Sequence, residues 1–166
     1  MKSPFRPSKT ACLLLLIGFL AQIIPTEVDT KVKQQLEDWG YEYTIDSDND
    51  FKTVYKLDNG RTQLCFVNSN TEIYGLFEIR EVWSPVYKSE GQLPAWLANK
   101  LLEESYTKKL GAFEVWTKSD GNTRLVIFCA KIDAGCPGSD LDDAIKAVSI
   151  TADIMEKELT GNSDEF

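Results

Sequence analysis

The residues with most chemical potential in this 166-residue chain are four cysteines, one acid-rich loop and the adjacent carboxylate pairs of its helical patterns; histidine is absent. Lacking histidine, the chain lacks the commonest general base and the commonest metal ligand. Cys12, Cys65, Cys129 and Cys136 form no C-x-x-C pair, which argues against redox and zinc-ribbon chemistry. A nucleophilic cysteine ordinarily relies on a histidine base. Cys65 and Cys129 fall in strand-like segments and Cys136 in a loop, so Cys136 is expected to be the most accessible thiol. With Cys12 removed, three thiols allow either one disulfide with one free thiol, or buried unpaired cysteines.

Asp46-Ser47-Asp48-Asn49-Asp50 matches the start of a calcium loop. Such a loop needs a glycine at its sixth position and a bidentate glutamate at its twelfth. Phe51 and Leu57 stand there instead, so a solvated turn is expected. The pairs Glu37-Asp38, Glu103-Glu104 and Asp142-Asp143 lie in helical patterns, where adjacent side chains diverge by about 100° and cannot act on one bond. Asp142 and Asp143 suit a first helical turn, where negative charge meets the helix dipole. Neither a glycine-rich phosphate loop nor a G-x-S-x-G nucleophile pattern occurs. We therefore assign no catalytic, cofactor-binding or metal-ligating residue. An enzymatic alternative would have to use Cys136 or these carboxylates. The four tryptophans, Trp39, Trp83, Trp96 and Trp116, are expected mostly in the core. Should Trp83 and Trp116 face outward, they would form an interface patch.

The elements that position these residues follow from periodicity and turn signals. Thr26 to Asp29 reads T-E-V-D, a capping-box pattern, and Val28, Val32, Leu36 and Trp39 share one helical face. Gly40 is the natural stop, so a first helix is expected over Thr26–Trp39. Strand patterns follow at Tyr41–Ile45, Phe51–Leu57 and Thr62–Val67, with Asn59-Gly60 suggesting a type I′ hairpin. Asn68–Asn70 reads as a turn, Ile73–Trp83 as a strand bulged at Gly75, and Pro85–Gly91 as a loop. A second helix opens at Pro94 with Leu93, Trp96, Leu97 and Leu101 in one stripe and ends before Gly111. Phe113–Trp116 and the central-looking Arg124–Ile132 make a hairpin around Asp120-Gly121. A second capping box at Ser139–Asp142 opens a long amphipathic helix to Leu159.

The fold class implied is α+β: a twisted antiparallel sheet of about five to six strands with helices packed on it, in α-β-β-β-α-β-β-α order. Its boundaries are 1–25 for a leader or anchor, 26–160 for the domain and 161–166 for a polar tail expected to be disordered. Hydrophobic content of 43% and aromatic content of 11% support a globular core. Net charge is −8, and −11 without the first 25 residues, which carry Lys2, Arg6 and Lys9 and no acid. That balance repels phosphate backbones, so nucleic acid is excluded as a partner. The basic start followed by Ala11–Ile24, ACLLLLIGFLAQII, resembles a secretory leader. This run of fourteen residues, apolar apart from Gln22, falls short of the roughly 20 that span a bilayer. Export to the periplasm or cell exterior after cleavage is therefore expected, with anchoring by residues 11–24 as the alternative and the sole membrane contact.

Leu93–Trp116 (LPAWLANKLLEESYTKKLGAFEVW), the return strand RLVIFCAKID, the closing LDDAIKAVSITADIMEKEL and the opening VKQQLEDWGYEY together resemble the YbjN family. The resemblance implies a fold like that of the type III secretion chaperones, often dimeric, in sensory-transduction regulators without established activity or catalytic residues. Two features depart from the family pattern: Ser105 stands where an asparagine commonly follows the paired leucines, and a leader precedes the domain. The expected function is a non-enzymatic protein-binding or regulatory module, exported or membrane-associated, with a protein partner that a second copy could supply. A chaperone-like binder of an exported client is the alternative.

Overall fold

The computed structural model describes residues 27–161 and 163–166. Thr26, Cys12 and the apolar run 11–24 lie outside the described residues, and so does the leader or anchor reading that rests on them. No helix among the described residues is long and apolar enough to cross a membrane.

The chain runs α1 (Thr30–Asp38), β1 (Tyr43–Ile45), β2 (Phe51–Lys56), β3 (Thr62–Tyr74), β4 (Phe77–Glu90), α2 (Ala95–Thr107), β5 (Ala112–Thr117), β6 (Thr123–Asp133) and α3 (Gly138–Thr160). This is the expected α+β class, with four strands before α2 because the three-residue β1 pairs with β2. The six strands form one sheet in the order β1-β2-β3-β4-β6-β5. Every neighbouring pair is antiparallel. Four consecutive strands meander; the chain then crosses through α2 and adds the β5–β6 hairpin against β4.

Side chains alternate between the two faces of a strand, and the register decides which set is covered. Phe51, Cys65, Val67, Val82, Val126, Phe128 and Ala130 share one cluster with Val32 and Leu36 of α1, Leu97 and Leu101 of α2, and Leu141, Ile145 and Val148 of α3. All three helices thus pack on the same face of the sheet. Tyr41 ties α1 to α3, its hydroxyl donating to Asp142 Oδ1 at 2.7 Å.

Several local readings are corrected. The cap of α1 is Asp29, whose Oδ1 accepts from the Lys31 and Val32 N–H groups at 2.8 and 3.1 Å. Pro94 and Pro137 are the N-caps of α2 and α3, without side-chain capping bonds, so the Ser139 box does not form. Asn68–Asn70 is no turn: β3 continues to Tyr74, and the turn comes at Gly75-Leu76, with Gly75 at φ 64°. Pro85–Gly91 is mostly strand rather than loop. Pro85 is accommodated where the β4–β6 register shifts between Pro85 and Tyr87, since a proline lacking N–H fits a bulge. At Asn59-Gly60 only Gly60 has positive φ, and the Gly60 N–H bonds Leu57 O at 3.0 Å, a three-residue turn with a glycine bulge instead of type I′.

The tail is held rather than frayed. Leu64 N–H donates to Phe166 O at 2.8 Å, and Glu165 N–H donates to Glu156 Oε1 at 2.7 Å. Arg61 lies beneath it, donating through Nη1 to Ser163 O at 3.0 Å.

Candidate functional site

The residues singled out in the sequence do not converge. In the acidic loop, Asp46 Oδ1 accepts from the N–H groups of Asp48 and Asp50 at 2.9 and 3.0 Å, and Asp50 Oδ1 accepts from Ser69 N–H at 2.7 Å. These carboxylates close a turn, with Asn49 at φ 65°. Cys65, Cys129 and Cys136 are free thiols. Cys65 lies on the helix-covered face, whereas Cys129 stands in the row of Trp83, which pairs with Phe66, the neighbour of Cys65 on the chain. Alternation therefore places Cys65 and Cys129 on opposite faces, where they cannot meet. Burial pushes both thiols up to about 12. Burial also raises Cys136, more than Lys31 lowers it. None is an activated nucleophile.

One set of carboxylates does converge. Asp153, Glu156 and Asp164 bring ligand atoms within 4.8 Å of one another. Arg61 occupies their centre: Nε bonds Asp153, and Nη2 lies 3.5 Å from Glu156 Oε2 and 3.4 Å from Asp164 Oδ1. Fully buried, Glu156 has its carboxyl raised by desolvation, against the opposing pull of Glu165 N–H and Arg61. A guanidinium where a cation would sit makes this cluster an ion-pair clasp between the β2–β3 turn, α3 and the tail.

The face of the sheet that the described helices leave open is the better candidate. There the strand register aligns Lys52 with Phe66, Phe66 with Trp83, and Trp83 with Cys129. Ala112 of β5 pairs with Cys129, and Trp116 stands four residues further along β5, opposite Leu125. Phe66 and Trp83 stack with centroids 4.1 Å apart and planes 5° from parallel. Trp83 meets Trp116 at 4.7 Å, tilted 60°. All three rings are half-buried, flanked by the exposed Val54 and the half-buried Leu64 and Leu125. Ile127 and Cys129 are buried yet stand outside the helix-side core; they form the floor of this aromatic row.

Polar contacts fix the rings. Trp83 Nε1–H donates to Asn68 Oδ1 at 2.8 Å, and the Lys52 ammonium lies 6.0 Å from the Phe66 centroid. One row toward the β3–β4 turn, Lys131 bridges Glu114 at 2.6 Å and Glu81 at 3.3 Å. Its hydrogen bond to Glu114 raises the ammonium well above the usual lysine range. The outcome is a rigid apolar strip bordered by a fixed charge triplet. Rigid aromatics lose little entropy on binding, so this is a surface suited to contact rather than to bond-making chemistry.

Trp83 and Trp116 thus face outward, as one reading of the sequence allowed, and they make the patch together with Phe66. Sequence reasoning missed Phe66 because alternation alone does not say which face the helices take. Trp96 was expected in the core but is 63% exposed on α2; the buried stripe turns through Leu97 and Leu101. Trp39 is likewise exposed, lying against Gly138, where an added Cβ would come within 3.0 Å of its Nε1.

No protein-family model and no curated relative matches the chain. Among solved structures, it is similar to the crystal structure of YbjN from E. coli, with 10% sequence identity, a TM-score of 0.47, and coverage of 79% of this chain and 91% of that one.

Proposed function

We propose that the chain is a non-enzymatic protein-binding module, exported or membrane-associated, that docks a partner polypeptide on its open sheet face. The observation that carries this reading is the contacting row Phe66–Trp83–Trp116 on the face that none of the described helices covers. Aromatic anchors above a buried floor are the usual centre of an interface, and the surrounding charges set register rather than affinity. Among the described residues, the two buried thiols are raised and the clustered carboxylates are occupied by their ion pairs with Arg61. An exported client is the narrower form of the same proposal. The apolar strip favours it, running from Val54 on β2 to Trp116 on β5 across five adjacent strands, about 19 Å at the usual inter-strand spacing. A second copy on that face would make a homodimer.

The test is site-specific photocrosslinking of the full chain in its host. A photoreactive residue at Val54, on the open face, is expected to give a discrete polypeptide adduct identified by mass spectrometry. The same residue at Leu102, exposed on α2, is expected to give none. Equal adducts from both positions, or none from Val54, would refute the proposal. Intact mass of the recovered protein reports whether residues 1–25 are removed.

A further inference from the structure

Acids outnumber bases in this chain by 26 to 18, yet the aromatic row is bordered by lysines. Lys52 pairs across the ladder with Phe66, and Phe66 with Trp83. Lys56 pairs with Thr62, and Lys88 with Leu125, which also pairs with Trp116. Alternation along β2, β3 and β6 therefore puts all three lysines on the face of the aromatic row. Lys52 stands at the β2 end of the row, and Lys56 and Lys88 on the side away from the β3–β4 turn.

None of the three forms an ion pair among the described residues. Acids of the same face do not neutralise them. Glu81 and Glu114 are held by Lys131. Glu42 and Glu90 stand at the borders of the region, exposed and in no ion pair among the described residues. The Lys52 ammonium is placed over the Phe66 ring, 6.0 Å from its centroid, without being neutralised there.

A groove of about 480 Å³ joins two of these lysines to the strip: Lys52, Val54, Lys56 and Leu64 line it together with Glu42, Tyr43 and Thr44. It lies where β1 leaves β2. The β1 pairing stops at Tyr43 opposite Thr53, so Val54, Tyr55 and Lys56 have no strand on that side among the described residues. Lys52 and Lys56 are four residues apart on one strand, about 13 Å. An extended polypeptide repeats its own side chains at the same spacing. Carboxylates four residues apart can meet both ammonium groups, while the residue midway between them falls over Val54 and Leu64.

Charge at the border of an interface selects the partner by sign: it steers an acidic partner in and repels a basic one. Single-stranded nucleic acid also offers negative charge and stackable rings. The net charge of −8 opposes a long phosphate backbone. A short acidic segment feels mainly the local lysines, because charges more than about 8–10 Å away are screened.

We infer that the open face takes an extended acidic polypeptide segment whose carboxylates alternate with apolar side chains. The carboxylates meet Lys52, Lys56 and Lys88, and the apolar groups lie along the aromatic row. This inference rests on the docking reading above and adds the charge and shape of the partner.

Fluorescence anisotropy of the full chain with short labelled peptides tests it. One peptide alternates glutamate with leucine around a central tryptophan; its counterparts carry glutamine or lysine in place of glutamate. The glutamate peptide is expected to bind at least tenfold tighter than either counterpart. It is expected to lose at least tenfold when salt rises from about 0.05 to about 0.5 M. K52E/K56E/K88E, its folding checked by circular dichroism, is expected to bind the glutamate peptide at least tenfold more weakly and to favour the lysine peptide. Equal binding of the glutamate and glutamine peptides, or no binding of the glutamate peptide, would overturn the inference. So would tighter binding of a labelled oligothymidylate, or a dimer of the protein that shuts the peptide out. W116A separates this inference from the docking reading. If charge proves irrelevant but W116A weakens all peptides alike, the face remains the docking site and only the partner's charge is wrong. If W116A weakens none of them, the docking reading falls as well.

Discussion

Asp29 and Arg80 offer the sharpest test of how this fold is held. Arg80 is 3% exposed. Its guanidinium bonds Asn68 O, Ser69 O at 3.2 Å and the Asp29 carboxylate. The carboxylate also caps α1 through its other oxygen. D29N retains a good capping side chain and removes only the negative charge. A buried guanidinium then loses its counter-ion, a change that costs roughly 3–5 kcal/mol when the pair is fully enclosed. Because Asp29 keeps some solvent and Arg80 keeps two carbonyl acceptors, we expect the lower end, about 3 kcal/mol. D29A should cost about 1 kcal/mol more, the value of the cap. The double variant D29N/R80M should cost less than the sum of its parts, since it leaves no unpaired charge.

Urea unfolding followed by tryptophan fluorescence measures all three. The pH dependence has a defined sign. Burial opposes ionisation of Asp29, but the Val32 N–H and the Arg80 charge outweigh it and hold the carboxyl below the usual range. Its contribution is therefore complete above the unfolded-state value of about 3.9 and is lost as pH falls through the lower folded value. Wild type should lose that increment below about pH 4, and D29N should not. If D29N costs under about 1 kcal/mol, no more than a cap, the claim that Arg80 depends on its counter-ion is wrong.

In the Arg61 clasp, D153N should destabilise by about 2 kcal/mol or more through loss of a buried charged hydrogen bond, seen as a lower urea midpoint. Gly111 has φ 83°, and an added Cβ would lie 2.5 Å from Cys129 O; G111A should therefore lower stability by about 2 kcal/mol or more, read from the same urea curves. Alkylation of the native protein near pH 8 should modify Cys136 first, with Cys65 and Cys129 reacting only on unfolding; mass spectrometry of timed samples would show a uniform rate for all three if their burial is misplaced.

Long periodic elements were legible because their signal is intrinsic to the chain. The stripe from Leu141 to Leu159 marks α3 with no tertiary knowledge, and Gly40 with the Val32–Leu36 spacing marks α1. The segment Asn68–Trp83 was misread because asparagine and serine favour turns locally. In the fold, Ser69 Oγ donates to Asn49 O at 2.6 Å and Asn68 receives the Trp83 indole, so cross-strand bonds override that preference and move the turn to Gly75. Pro85 punctuates any local reading, yet the β4–β6 register absorbs it in a bulge.

By itself the amino-acid sequence determined the α+β class, the position of each helix, the acidic character and the lack of a histidine-based site. These depend on composition and on spacings within about ten residues. Only the tertiary structure decided which face of the sheet the helices cover, and with it the grouping of Phe66, Trp83 and Trp116 and the separation of Cys65 from Cys129. Alternation along a strand makes two equivalent sets of side chains, and the sets become inside and outside only when helices from distant parts of the chain settle on one of them.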